Sequence, residues 1–291
     1  MRLFAFAPLS LVAALAITAP AHAQTATEAQ AFVDAAEKRL FDESIGASRI
    51  EWVNATYITD DTDALVAESS AVLTELRVQY ALEAAKFEKA PDLSPELKRK
   101  LDRLRGGITL PAPTRAGAAT ELANVSTGLQ SIYGKGRGTL KGQPINGSDI
   151  EAAMGTNRNP AELQEMWTSW NDNVGAPMRA DYGKVIALAN DGAKELGYGD
   201  AGAMWRSNYD MSADDFAKLT DTLWGEVKPL YDALHCYTRG KLNEKYGAEV
   251  QAATGPIRAD LLGNMWAQEW GNIYDVVAPA GAGDLGYDVT E

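Results

Sequence analysis

The sequence predicts an all-α protein, and three observations lead there. Apolar residues recur in steps of three and four over most of the chain, and residues that start helices stand at the head of those stretches. No run alternates apolar and polar side chains for long enough to read as a half-buried strand.

The first 23 residues, MRLFAFAPLSLVAALAITAPAHA, are set aside. Arg2 supplies a positive start, residues 11–17 an apolar stretch, and Ala21-His22-Ala23 a small-x-small cleavage site. That pattern is a secretory signal peptide. The apolar stretch falls short of the roughly 20 residues a spanning helix needs, and no later segment supplies a membrane anchor. The mature chain is expected to start near Gln24 and to work as an exported, periplasmic or secreted protein.

Residues 24–105 read as three charged, amphipathic helices. The first takes Thr27 as its N-cap, with Phe32, Ala36, Leu40 and Phe41 on one side. The second carries a stripe from Leu65 through Val72, Leu76 and Tyr80 to Phe87. The third opens with Ser94 as cap and Pro95 at its first position.

Residues 106–291 begin differently. A loop, GGITLPAPTRAGAA, precedes another helix, TELANVSTGLQSIYG. The glycine- and lysine-rich GKGRGTLKGQPINGS lacks the order of a phosphate loop and reads as a surface turn. Helix resumes after it, with Asn159-Pro160 marking a fresh start. The longest stripe follows: Ser212 caps it, with Asp215 three residues on, and Phe216, Leu219, Leu223, Val227, Leu230, Leu234 and Tyr237 form its apolar face. Pro229 should kink this helix rather than end it, and Gly247 should close it. Beyond it, GPIRADLLGNMWAQEWGNIYDVV (residues 255–277) sets hydrogen-bonding side chains in an apolar run. It reads either as a buried helix or as the wall of a binding cleft.

A formal charge of −13 argues against nucleic acid as a partner. Cys236 is the only cysteine, so no intramolecular disulfide forms; it reads as a small buried hydrophobe, with a functional thiol as the alternative. The sequons at Asn54, Asn124 and Asn146 carry no weight without a glycosylating host. Of the chain's two histidines, His22 leaves with the signal peptide. His235 remains, read as a core histidine with a functional role as the alternative. One imidazole cannot build an H-E-x-x-H zinc site, and G-x-S-x-G, a Rossmann fingerprint and an EF-hand loop are absent. From its residues alone, the chain has cleft-like aromatic segments and no catalytic machinery; no catalytic residue and no metal ligand is assigned.

GPIRADLLGNMWAQEWGNIYDVVAP closely resembles a signature of the angiotensin-converting enzyme family of zinc dipeptidyl carboxypeptidases. LYDALHCYTRGKLNEKYG and GYGDAGAMWRSNYD match two further stretches of that family in the same order. The likeness is dense from about Glu165 to Pro279 and collinear back to about Gln30. It implies a two-lobed helical ellipsoid with a deep cleft, lid helices over the entrance, and peptide substrates shortened by dipeptides from the carboxyl end. It also implies zinc held by two histidines and a glutamate, all in a part of the family pattern that follows YDVVAP. On that basis the chain is expected to be the amino-terminal portion of a longer enzyme, truncated before the zinc-binding region and inactive and aggregation-prone by itself. A bacterial member is expected, because animal members carry disulfides that this chain cannot form.

By the same resemblance, Gln268 in MWAQEW matches a glutamine that helps hold the substrate's terminal carboxylate. An amide satisfied by its own neighbours is the alternative. Tyr209 in WRSNY matches a tyrosine at a chloride site; a plain core tyrosine is the alternative. Asn171 stands where animal members often place a chloride-binding arginine, so that second chloride site is expected to be absent or weak. The competing reading of the whole chain is a non-catalytic homologue that acts as a peptide-binding or interaction module.

Overall fold

A computed structural model describes residues 24–279, 281 and 282. The signal peptide expected at residues 1–23 lies outside the described residues. No described helix is long and apolar enough to cross a membrane. Helix α1 (Ala26–Thr56) is capped by Thr25 rather than Thr27. Thr25 and Glu28 stand three apart, the spacing of a capping box, and each side chain bonds the other's backbone amide. Helix α2 (Asp60–Ala85) has its own box, made by Thr59 and Thr62. Helix α3 (Pro95–Gly106) starts as expected, with the Ser94 hydroxyl accepting from Leu97 N.

The stripe expected along α2 is only partly buried: Phe87, just past the helix, is buried, and Leu76 and Tyr80 are half-buried. Leu65 and Val72 are 50% and 59% exposed, whereas Val66, Ala67, Ala71, Leu73, Val78, Ala81 and Ala84 are buried. Small alanines let helix axes approach closely, and that close packing outweighs the larger side chains on the other side. Ala67 and Ala71 share a core with Leu122 of α4 (Ala118–Lys135) and with Val185 and Leu188 of α7 (Ala176–Glu195). Gly192 of α7 faces the Pro111 carbonyl so closely that an added Cβ would sit 2.2 Å from its oxygen. Glycine there lets the 107–117 loop lie flat on α7.

The glycine- and lysine-rich stretch is not a plain turn. It folds into an antiparallel hairpin, β1 (Arg137–Leu140) and β2 (Gln143–Asn146), which amends the all-α expectation. Lys141 and Gly142 both take positive φ, the geometry of a tight two-residue hairpin turn. Glu165 accepts from both turn amides, at 3.0 and 2.8 Å, and holds the hairpin against α6 (Pro160–Trp170). These backbone hydrogen bonds, that from Gly142 foremost, hold the Glu165 carboxyl below its ordinary pKa. Helix α6 begins at Pro160 with Asn159 as its cap, and a π-helical turn, Asn171–Gly175, joins it to α7.

A second core gathers Ile150 and Met154 of α5 (Gly147–Thr156), Met166 and Trp170 of α6, and Leu261, Met265 and Ile273 of the late segment. Leu242 of α9 (Ala213–Tyr246) completes it. Helix α9 starts at Ser212, runs through Pro229 and closes at Gly247, whose φ is 80°. A short helix, α8 (Ala201–Arg206), precedes it, and α10 (Tyr274–Val277) ends the described helices.

One junction ties α1, α2 and α4 together. Asp63 accepts from Asn54 Nδ2 at 2.7 Å and Ser131 Oγ at 2.6 Å, with Lys135 Nζ at 3.3 Å. Burial pushes the Asp63 carboxyl up, but the hydrogen bonds from Ser131, Asn54 and Lys135 together outweigh it and hold its pKa below the ordinary value. A depressed carboxylate lends stability above its unfolded-state pKa and loses it as pH falls through the folded value. Asp63→Asn should therefore destabilise the chain by about 2 kcal/mol at neutral pH. In urea titrations the gap between variant and parent should close as pH is lowered through that folded value.

Candidate functional site

The segment from Gly255 to Val277 is neither a buried helix nor an open loop. Only a 3-10 turn at Ala259–Leu261, another at Gly271–Ile273, and α10 are regular. Its polar side chains replace the helix ladder. Buried Asn264 accepts from Trp266 N and donates to Glu269 O, and Asn272 Nδ2 donates to Gly263 O. Upstream, buried Gln251 binds Pro256 O and Arg258 N. Arg258 grips Asp260 with two nitrogens, at 3.1 and 2.6 Å, and reaches Pro160 O. Close packing of polar groups in this apolar run thus serves backbone satisfaction.

Gln268 stands apart from that network. It is exposed and makes no side-chain hydrogen bond among the described residues, so the alternative of an amide satisfied by its neighbours does not describe it. It follows Ala267, held at φ 54°, a left-handed conformation that costs a side-chain-bearing residue about 1–2 kcal/mol. Strained backbone next to an unspent amide is the kind of feature found at ligand sites. Trp266, two residues earlier, is exposed and stacks on Tyr133 of α4, with ring centroids 6.2 Å apart.

Beyond Tyr133 lies a cavity of about 600 Å³ between α1, α2 and α4. Glu51, Ser70, Thr74, Ser126, Thr127 and Gln130 supply most of its polar lining. The sequence reading missed these residues because no motif links them. A signal existed: Ser70 and Thr74, and Ser126 and Gln130, are pairs four apart, each on one helix face.

Tyr209 is 55% exposed and is not a core tyrosine. Its ring stacks on Phe216, 4.0 Å between centroids, and it borders a separate cavity of about 520 Å³ beside α3. Gln268 and Tyr209 do not line a common cavity among those described. Asn171 opens the π-helical turn and gives its amide to Trp167 O at 2.8 Å.

The apolar face of α9 is largely exposed. Leu219, Leu223, Trp224, Val227, Leu230, Tyr231, Leu234 and Tyr237 are all exposed, and Leu230 is 74% exposed. Cys236, expected to be buried, is exposed: it belongs to no core cluster of the described residues, and its sulfur accepts from Arg239 Nη2 at 3.5 Å. His235 is half-buried rather than core, set 5.9 Å from the Tyr231 ring and 6.2 Å from the Trp270 ring. Its Nδ1 lies 3.3 Å from Arg239 Nη1, which also donates to Gly255 O. Tyr237 Oη donates to Val277 O and Trp270 sits beside Tyr231 and His235, so among the described residues the late segment reaches the carboxyl-terminal half of α9.

Among the described residues, no three His, Cys, Asp or Glu side chains converge as a metal site needs. His235 is committed to Arg239 and flanked by aromatic rings, so the donor set present does not fit a zinc ion.

Residues 23–291 match the family described as Angiotensin-converting enzyme. The chain belongs to the angiotensin-converting enzyme family. It is 31% identical over 280 residues to the angiotensin-converting enzyme of Haematobia irritans exigua, covering 93% of this chain and 45% of that protein. It is 33% identical over 261 residues to the Bos taurus enzyme, covering 87% of this chain and 19% of that protein. Against the Mus musculus angiotensin-converting enzyme-like protein Ace3, identity is 33% over 230 residues, or 78% of this chain and 31% of that protein. The chain thus spans less than half the length of these relatives. The family is one of metallopeptidases that use zinc.

The uncovered face has a measurable signature. Leu242→Ala, at a fully buried position, should cost about 2–5 kcal/mol. Leu230→Asp should change stability by less than about 0.5 kcal/mol in urea denaturation while lowering binding of a hydrophobic dye.

Proposed function

We propose that this chain is the amino-terminal portion of an exported, bacterial zinc peptidyl-dipeptidase, which releases dipeptides from the carboxyl ends of peptides. The uncovered apolar face of α9 carries the reading. A continuous apolar stripe of this length on a soluble protein marks a surface that other polypeptide covers. The chain's coverage of its relatives supports the same conclusion. On this reading α1, α2 and α3 contribute to the lid, and the segment around Gln268 forms one wall of the peptide cleft. Zinc ligands and the general base lie in polypeptide beyond this stretch, so the chain alone is catalytically incomplete.

Gln268 takes the substrate's terminal carboxylate. Its unspent amide can donate to a carboxylate without neutralising it. Tyr209 takes chloride through its hydroxyl once a cationic partner from the remaining polypeptide is present. The second chloride site is weak or absent, because Asn171 has no charge and its amide is already engaged by Trp167.

Reading the gene beyond Glu291 tests the assignment. An H-E-x-x-H with a downstream glutamate supports it. A stop codon at that point, with a stable monomeric product, would favour a non-catalytic peptide-binding module. Within the chain itself, Gln268→Leu should weaken binding of a free-carboxylate peptide by about tenfold, roughly 1.4 kcal/mol, and leave its carboxamide counterpart unchanged. Equal losses for both peptides would remove Gln268 from carboxylate recognition.

A further inference from the structure

We propose that the cavity between α1, α2 and α4 is a pocket for a cationic side chain, with Glu51 as the residue that selects it. The inference rests on the peptide-cleft reading for the identity of the ligand, a lysine or arginine of a bound peptide.

Unspent hydrogen bonding is the first observation. Ser126 Oγ is fully buried and has no partner. Thr127 is only 4% exposed, and neither its hydroxyl nor those of Ser70 and Thr74 makes a hydrogen bond among the described residues. Serines and threonines within helices usually return the hydroxyl to a carbonyl one turn back. Thr220 and Thr222 of α9 do so, at 2.8 and 2.9 Å. The cavity residues do not. A buried hydroxyl left unpaired costs about 1–3 kcal/mol, and a bound group is one physical reason to leave it so. Asn54, on the same wall, is by contrast fully used by Thr62 and Asp63.

Charge is the second. Glu51 is the only group lining the cavity that is charged at neutral pH, and it forms no ion pair among the described residues. No lysine or arginine lines the space, so its field is negative. Hydroxyl and amide oxygens can accept from a cation there, and the Tyr133 ring offers a π face.

Shape is the third. Ile58, Val66, Leu110 and Leu122 give the same cavity an apolar wall. An aliphatic stem with a positive tip matches that pairing of surfaces, and only the long basic side chains have both. About 600 Å³ lies within the range of ligand-sized pockets. Tyr133 connects the cavity to Trp266, and so to the segment that carries Gln268.

Titration of the full chain with three probes, followed by tryptophan fluorescence, tests the assignment. The probes are a lysine-containing peptide, the same peptide with norleucine for lysine, and cadaverine. The lysine peptide should bind about tenfold more tightly than its norleucine counterpart. Glu51→Gln should erase that preference and leave the norleucine peptide unchanged, because Glu51 is exposed and makes no side-chain hydrogen bond or ion pair among the described residues. Ser126→Ala should weaken the lysine peptide as well. Equal affinities for the two peptides in the parent chain would overturn the selection and leave the peptide cleft standing. Binding of cadaverine alone, lost in Glu51→Gln, would keep the cationic pocket and remove the peptide cleft. Failure of all three probes would overturn both.

Discussion

Helix α9 is held at its two ends and open along its middle, and this constraint organises the rest of the molecule. At the amino-terminal end, Phe216 stacks on Tyr209. At the other, Thr238 and Leu242 sink into the core built by α5, α6 and the late segment. Between those anchors, from Leu219 to Tyr237, leucines, a valine, a tryptophan and two tyrosines face solvent. Burial of such side chains is worth roughly 1.5–3 kcal/mol each, so leaving them open gives up a large stabilising term.

That constraint also explains why the candidate site is a set of surfaces rather than a reaction centre. Gln268 presents an amide without a partner beside a strained alanine. Trp266 and Tyr133 form an aromatic edge leading to a hydroxyl-lined cavity. On the proposed reading each is a recognition element, and His235 is turned to Arg239.

Much of this was legible in the sequence where local chemistry decides structure. Ser94, Asn159, Ser212 and Gly247 mark helix ends because capping is a matter of a few adjacent residues. Thr25 could have been chosen over Thr27 by the three-residue spacing to Glu28. Where packing decides, the reading failed. The buried face of α2 is chosen by alanines that admit α4 and α7, and four-residue strands are too short to show alternation. The α9 stripe was legible as apolar, but periodicity says that a face favours burial and nothing about what buries it. The cavity was invisible because its polar residues come from three helices that only the fold brings together.

The most direct test of the account is the metal content of the purified 291-residue chain after zinc loading and dialysis, read together with dipeptide release from a peptide substrate. The account predicts far less than one zinc per chain and no turnover. A stoichiometric, tightly held zinc with robust dipeptide release would contradict it.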